Sequence, residues 1–238
     1  MPSPSDLAAP PPAGTPVPPA IARLAGHDPV ELVWRNAAGG LTARIDRAGG
    51  AVYAKWNPAG SGESLAEEAL RLGWLAGRLP APLVLESRSE RGGELLVTAA
   101  IDAASVVSAA GLRDPGAGAA ALGEGLRRLH ALAVEACPFA APDWTRGAGA
   151  PEDPVVCHGD PCAPNTLIAD GAFAGLVDMA RLGVGERWSD LAVASWSLHW
   201  NGLGDGEPAF WRAYGSAPDA QRIAAWRARW DAPGADAV

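Results

Sequence analysis

Lysine is almost missing from this 238-residue chain: Lys55 is the single one, and arginine carries the rest of the positive charge. Cysteine is scarce as well. Cys137, Cys157 and Cys162 make neither a disulfide framework nor a zinc-ligand spacing, which points to a reducing, cytoplasmic compartment. No apolar run approaches the roughly 18 residues of a membrane helix. No basic segment leads into an apolar one near the start, so no signal peptide is expected. Basic surplus is absent too. A net charge of −8 argues against a nucleic-acid partner and permits a cationic small molecule. There is no internal repeat, no GxGxxG and no GxxxxGK[ST].

What is present suffices for a core: 48% of the residues are hydrophobic, in a length that fits one domain or one bilobal domain. Residues 1–22 are rich in Pro, Ala and Ser and read as a disordered tail. Two strand-like runs, Val30–Asn36 and Leu41–Arg47, flank a small turn containing Gly39 and Gly40. These glycines allow close backbone approach, as a phosphate-covering loop needs and as an ordinary hairpin turn also has. Lys55 ends an alternating run, Ala51–Trp56. A lysine there is either a solvated strand end or a phosphate-pairing point charge. Ser64-Leu65-Ala66-Glu67 reads as a capping box. Apolar residues at 65, 69, 72, 76 and 79 continue it as a helix, on which Glu68 is available to pair with Lys55. Strand Glu94–Thr98 follows. The second half is mainly helical in pattern, around Leu122–Ala133, Leu191–Leu198 and Ile223–Trp230. His27, His130 and His199 read as structural or surface residues.

The densest chemistry lies in Val155–Ile168, where His158, Asp160 and Asn165 sit between two apolar runs. Strands Thr166–Ala169 and Phe173–Val177, joined through Asp170-Gly171, form a predicted hairpin. It returns Asp178 to the side of Asn165. Alone, His-x-Asp with a later Asn is equally the pattern of an ordinary loop. With Asp178 it fits phosphoryl transfer: Asp160 takes the acceptor hydroxyl's proton, while Asn165 and Asp178 offer oxygens to Mg²⁺. His158 fits a loop brace better than the base.

These segments resemble the aminoglycoside phosphotransferase family, and within it the 3′-phosphotransferases. The resemblance rests on Val156-Cys157-His158-Gly159-Asp160 with Pro164-Asn165, and on Val177-Asp178 with Arg181-Leu182-Gly183-Val184. Arg128-Leu129-His130, Cys137-Pro138-Phe139 and Trp188-Ser189-Asp190-Leu191-Ala192 add to it. It runs from about Val30 to Asp231. It implies an α+β, bilobal protein-kinase-like fold: an antiparallel N-lobe over residues 23–101 that binds nucleotide, and a mainly helical C-lobe over 102–238. It further implies Asp160 as catalytic base, Asn165 and Asp178 as Mg²⁺ ligands, and Lys55 with Glu68 on the phosphates of ATP.

Two departures bear on the acceptor. Residues 140–154 are short where relatives carry a helical insertion. The helix after Asp190 has Trp196, Ser197 and Trp200 in place of charged residues. Trp196 and Trp200 either pack the lobe or line a substrate cleft, and Asp231 is a loosely aligned acidic residue for the acceptor. An ATP-dependent kinase of an aminoglycoside 3′-hydroxyl is therefore expected, acting as a monomer or weak dimer. The alternatives are a kinase of another hydroxylated amine or metabolite, and a nucleotide-binding pseudo-enzyme.

Overall fold

A computed structural model describes residues 9–232. Residues 1–8 of the expected tail lie outside it. The described chain divides into two compact units: residues up to Trp74 together with Pro82–Ala100, and Leu75–Ala81 together with the residues from Ile101 on.

The first unit starts with helix α1, Pro19–Ala25, so the tail boundary expected at residue 22 falls inside a helix. The reason is burial: Ile21 is fully buried, and Ala20 and Ala25 nearly so. Strands β1 (Val30–Arg35), β2 (Leu41–Ile45) and β3 (Val52–Pro58) follow, then helix α2 (Leu65–Leu75) and strands β4 (Val84–Glu90) and β5 (Gly93–Ala99). The sheet order is β1-β2-β3-β5-β4, with every pairing antiparallel. Alternation sets one face inward. Ala43, Ile45, Val52, Ala54, Leu95 and Val97 pack against α1 in a single apolar cluster. The helix expected to run to residue 79 stops at Leu75, where Arg78 and Leu79 both donate backbone N–H to the Leu75 carbonyl and Gly77 takes φ +77°.

The cap of α2 differs from the reading of the sequence. Ser64 Oγ does accept the Glu67 N–H at 3.3 Å. Glu67 itself turns outward to Arg71, 2.9 Å away. Glu94 of β5 completes the cap instead, accepting Leu65 N–H at 2.6 Å and Ala66 N–H at 3.2 Å. A carboxylate there satisfies two orphan donors at the positive end of the helix dipole.

The second unit contains a two-residue strand β6 (Ala104–Ser105), helix α3 (Pro115–His130), and strands β7 (Pro154–Cys157), β8 (Thr166–Ala169), β9 (Ala172–Leu176) and β10 (Gly183–Glu186). Helices α4 (Arg187–Trp200), α5 (Glu207–Tyr214) and α6 (Ala220–Trp230) complete it. Strand β7 pairs with β10, and β6-β8-β9 form a second small sheet. Asp170 (φ +51°) and Gly171 (φ +77°) make a two-residue turn with both φ positive. Ala169 therefore faces Ala172, and the second strand starts one residue before the expected Phe173. Leu122 and Leu126 of α3, Leu191 and Leu198 of α4 and Phe210 of α5 share one core, all of them fully buried.

Candidate active site

Strand β7 delivers the chain into the loop that carries His158, Gly159 and Asp160, and a web of backbone contacts fixes that loop. Asp190, in the first turn of α4, is fully buried. One of its oxygens accepts His158 N–H at 2.6 Å and the His130 Nε2 proton at 3.0 Å; the other accepts Gly159 N–H at 3.0 Å. A buried carboxylate is tolerable when its lone pairs are filled in this way. Tyr214 Oη donates in turn to His130 Nδ1 at 2.9 Å. From the opposite side, the Trp144 indole N–H donates to the Gly159 carbonyl at 2.8 Å. Gly159 has φ +85°, and a Cβ there would sit 2.3 Å from the Arg181 carbonyl, so both conformation and space demand glycine.

Both ring nitrogens of His158 are committed. Nε2 donates to the Val177 carbonyl at 3.1 Å, and Nδ1 accepts the Asp160 N–H at 3.3 Å. The ring is thus a neutral strut between the loop and the end of the β8–β9 hairpin. The Val177 N–H donates to the Asn165 carbonyl at 2.9 Å. Val177 is pinned on both sides, to His158 and to Asn165, and so places Asp178 next to the loop. Asp178 itself takes φ +63°, a left-handed conformation uncommon for a residue with a side chain. Asn165 Nδ2 donates to the Asp160 carbonyl at 3.0 Å, which turns its amide oxygen away from the loop.

Asp160 Oδ1 is buried and has no hydrogen-bond partner among the described residues. Native proteins rarely leave such an atom unsatisfied, and an incoming hydroxyl would satisfy it. The Cys162 thiol lies beside the same carboxylate. Desolvation, then this negative neighbour, push the thiol pKa well up. Asn165 and Asp178 supply one neutral and one charged oxygen, a donor set that fits Mg²⁺. A different triple, His130, Cys157 and Asp190, has its ligand atoms within 4.8 Å of one another. Their commitments are internal: the Asp190 oxygens are filled, and burial holds the Cys157 thiol far above its usual pKa. They brace the loop.

In the first unit, Lys55 on β3 meets Glu68 on α2 through two contacts, 2.8 and 3.0 Å. The Glu68 side chain is 3% exposed and that of Lys55 25%. The β1–β2 turn is stitched from within. Asn36 Oδ1 accepts the Gly40 N–H at 2.5 Å, and Gly39 has φ +82°. A Cβ on Gly40 would collide with the Asn57 side chain, so that glycine is required by packing inside the turn.

The residues assigned to the acceptor are not gathered into one place by any hydrogen bond or ion pair between them. Trp196 and Trp200 pack against each other on α4, ring centroids 4.6 Å apart and planes tilted by 43°, and the Arg227 guanidinium lies over Trp196. Asp231 is exposed at the C-cap of α6. Beside it, Trp230 packs edge-on against Trp144, and the Arg181 guanidinium lies over the Trp230 ring, 5.9 Å from its centroid. Trp144 and Asp190 hold the loop, and the sequence reading gave neither of them a role. Trp144 was visible as a lone aromatic in a Pro/Gly-rich segment, and Asp190 as a carboxylate inside an apolar helix pattern.

Residues 35–148 and 143–226 match the model of the phosphotransferase enzyme family. The chain belongs to that family. Among this phosphotransferase's relatives is the streptomycin 3″-kinase of Streptomyces griseus, 32% identical over 78% of this chain and 86% of the relative. A crystal structure of an aminoglycoside 3′-phosphotransferase of type VIII superposes with a TM-score of 0.74. The two are 28% identical over 88% of this chain and 96% of that one. An aminoglycoside phosphotransferase from Streptomyces rimosus, solved with ADP and streptomycin, superposes with a TM-score of 0.66. It is 26% identical, over 87% of this chain and 93% of that one. The family and these likenesses make this phosphotransferase an α+β, protein-kinase-like protein. Among the described residues, no helix is long and apolar enough to cross a membrane.

Proposed function

We propose that the protein transfers the γ-phosphoryl group of ATP to a hydroxyl of an aminoglycoside. The observation that carries this reading is the buried Asp160 Oδ1, without a hydrogen-bond partner among the described residues, in a loop held by Asp190, His158 and Trp144. Asp160 is the base: it hydrogen-bonds the acceptor hydroxyl, orients it in line with the phosphorus, and takes its proton as the P–O bond forms. Lys55, oriented by Glu68, pairs with the α- and β-phosphates. Asn165 and Asp178 would hold Mg²⁺, which when bound neutralises charge on the transferring group. The Asn165 amide is tied to the Asp160 carbonyl and Val177 to both Asn165 and His158, which supports a transfer that needs little reorganisation.

The acceptor class is inferred from the relatives' substrates. The 3′-hydroxyl is the expected site. The Streptomyces griseus streptomycin kinase supports a second reading, transfer to a 3″-hydroxyl. The test is ADP release with ATP, Mg²⁺ and kanamycin, neomycin or streptomycin, comparing the wild type with Asp160→Asn. Turnover that depends on an acceptor, and a fall of about 10²–10⁴-fold in kcat in the variant, are expected. ATP binding without turnover on any acceptor would refute the reading and leave a nucleotide-binding pseudo-enzyme. Turnover with streptomycin alone would select the second reading.

A further inference from the structure

Asp160 is fixed through the peptide groups on either side of it. In the peptide before it, the Gly159 carbonyl accepts the Trp144 indole N–H at 2.8 Å, and the Asp160 N–H donates to His158 Nδ1 at 3.3 Å. In the peptide after it, the Asp160 carbonyl accepts the Asn165 amide N–H at 3.0 Å. A peptide group is planar, so holding both planes sets the direction in which the Asp160 side chain leaves the backbone. Of these three side chains, His158 and Asn165 belong to the loop itself, and Trp144 comes from the short segment 140–154. Trp144 has a mount of its own. Two indoles of α6, one helical turn apart, meet its buried ring edge to face: Trp226 with centroids 5.9 Å apart at 89°, and Trp230 at 4.9 Å and 84°. The short turn Asp143–Thr145 that carries it is closed by Thr145, whose N–H and Oγ1 both donate to the Pro142 carbonyl, at 2.9 and 2.7 Å. Arg229 of α6 donates to the Arg146 carbonyl at 2.9 Å. The last helix therefore seats the ring whose N–H reaches the peptide of Asp160.

We propose that Trp144 is a positioning residue for phosphoryl transfer and that α6 sets its place: the indole N–H fixes the Gly159–Asp160 peptide plane, and with it the line along which the Asp160 carboxylate meets the acceptor hydroxyl. This role rests on Asp160 acting as the base. Losing the one N–H leaves the carboxylate in the loop but frees its peptide plane to rock, and a misplacement of about 1 Å is enough to slow a reaction that depends on alignment. Lys55 and Glu68 bond to each other on β3 and α2 and share no hydrogen bond with this peptide, so the effect falls on kcat and spares KM for ATP.

Trp144→Phe removes the N–H and keeps an aromatic ring between Trp226 and Trp230. Trp211→Phe is its control: Trp211 is as deeply buried in the same unit, and its indole N–H donates to Glu207 at 3.0 Å, away from the loop. Trp226→Leu takes away one of the two rings that seat Trp144. Steady-state kinetics are run with ATP and whichever of kanamycin, neomycin and streptomycin the wild type turns over, at a temperature where melts show every variant folded. The proposal expects kcat to fall by about 10- to 100-fold in Trp144→Phe with KM for ATP unchanged, a fall in the same sense in Trp226→Leu, and wild-type kcat in Trp211→Phe. Wild-type kcat in Trp144→Phe, an equal loss in Trp211→Phe, or a change confined to KM for ATP would overturn it, and wild-type kcat in Trp226→Leu overturns the part given to α6. If the wild type turns over no acceptor, the transfer reading falls by itself and amide exchange decides the clamp. The Asp160 N–H should exchange faster in Trp144→Phe than in the wild type or Trp211→Phe, and equal rates in all three overturn the proposal.

Discussion

At Asp160 and Asp190 the protein uses the same side chain in opposite ways. Asp190 has its oxygens filled by three N–H groups, whereas Asp160 keeps one buried oxygen unpartnered among the described residues. Replacing Asp190 with alanine orphans two backbone donors in a buried loop, a loss of about 3–5 kcal/mol. Chemical denaturation of Asp190→Ala checks this, and activity should fall with stability. Asp160→Asn, by contrast, should leave the unfolding midpoint near that of the wild type while turnover collapses. Asp160, Asn165 and Asp178 could be grouped from sequence as a candidate site because they lie within one short stretch of chain. Asp190 and Trp144 could not, since their partners are backbone groups: Asp190 lies some thirty residues along the chain from the loop, and the Trp144 contact with Gly159 has no sequence pattern.

Elements were read best where one period dominated. The β8–β9 hairpin was visible because Asp-Gly between apolar runs specifies a turn with two positive φ values. Its second strand begins at Ala172, directly after the two-residue turn, rather than at Phe173. Helix α2 was visible from its spacing, but its cap was half misread, since Glu94 arrives from a neighbouring strand. Glu94→Ala should cost about 0.5–2 kcal/mol by unsatisfying the first turn of α2. It should also raise KM for ATP, because α2 carries Glu68 to Lys55. Thermal melts and ATP titrations of the variant test both parts. Glu67→Ala, which loses an exposed pair with Arg71, should change stability by less than about 0.5 kcal/mol. Helix α5 gave no clear signal: eight residues span about two turns, too few for a period to emerge.

Across the whole molecule, the composition indicated enough apolar residues for a core, and the patterns indicated strands first and mainly helices in the second half. The boundaries came from burial that no local pattern encodes, as with Ile21 in the Pro/Ala-rich start. The shared helical core of the second unit is the largest stabilising feature there. Leu126→Ala should cost about 2–5 kcal/mol, measured by urea unfolding. Alkaline pH acts on the same interior. The Cys157 and Cys162 thiols and the Tyr214 phenol are held above their ordinary values of 9.0 and 10.0, chiefly by desolvation. Unfolding releases them to ionise, so the unfolded chain binds fewer protons once pH exceeds those values. Stability is therefore unaffected by these groups below about pH 9 and declines as pH rises above it. Urea midpoints that stay level from about pH 7.5 to about pH 10 would contradict this assignment.

Lys55 has a practical consequence beyond its pairing with Glu68. It is the one lysine of the chain, a quarter exposed and held against Glu68. Reductive methylation with ¹³C-formaldehyde therefore installs a single side-chain dimethylamine. That resonance is a site-specific reporter, and its shift on adding ATP would track the nucleotide's arrival at the one ammonium the sequence retained.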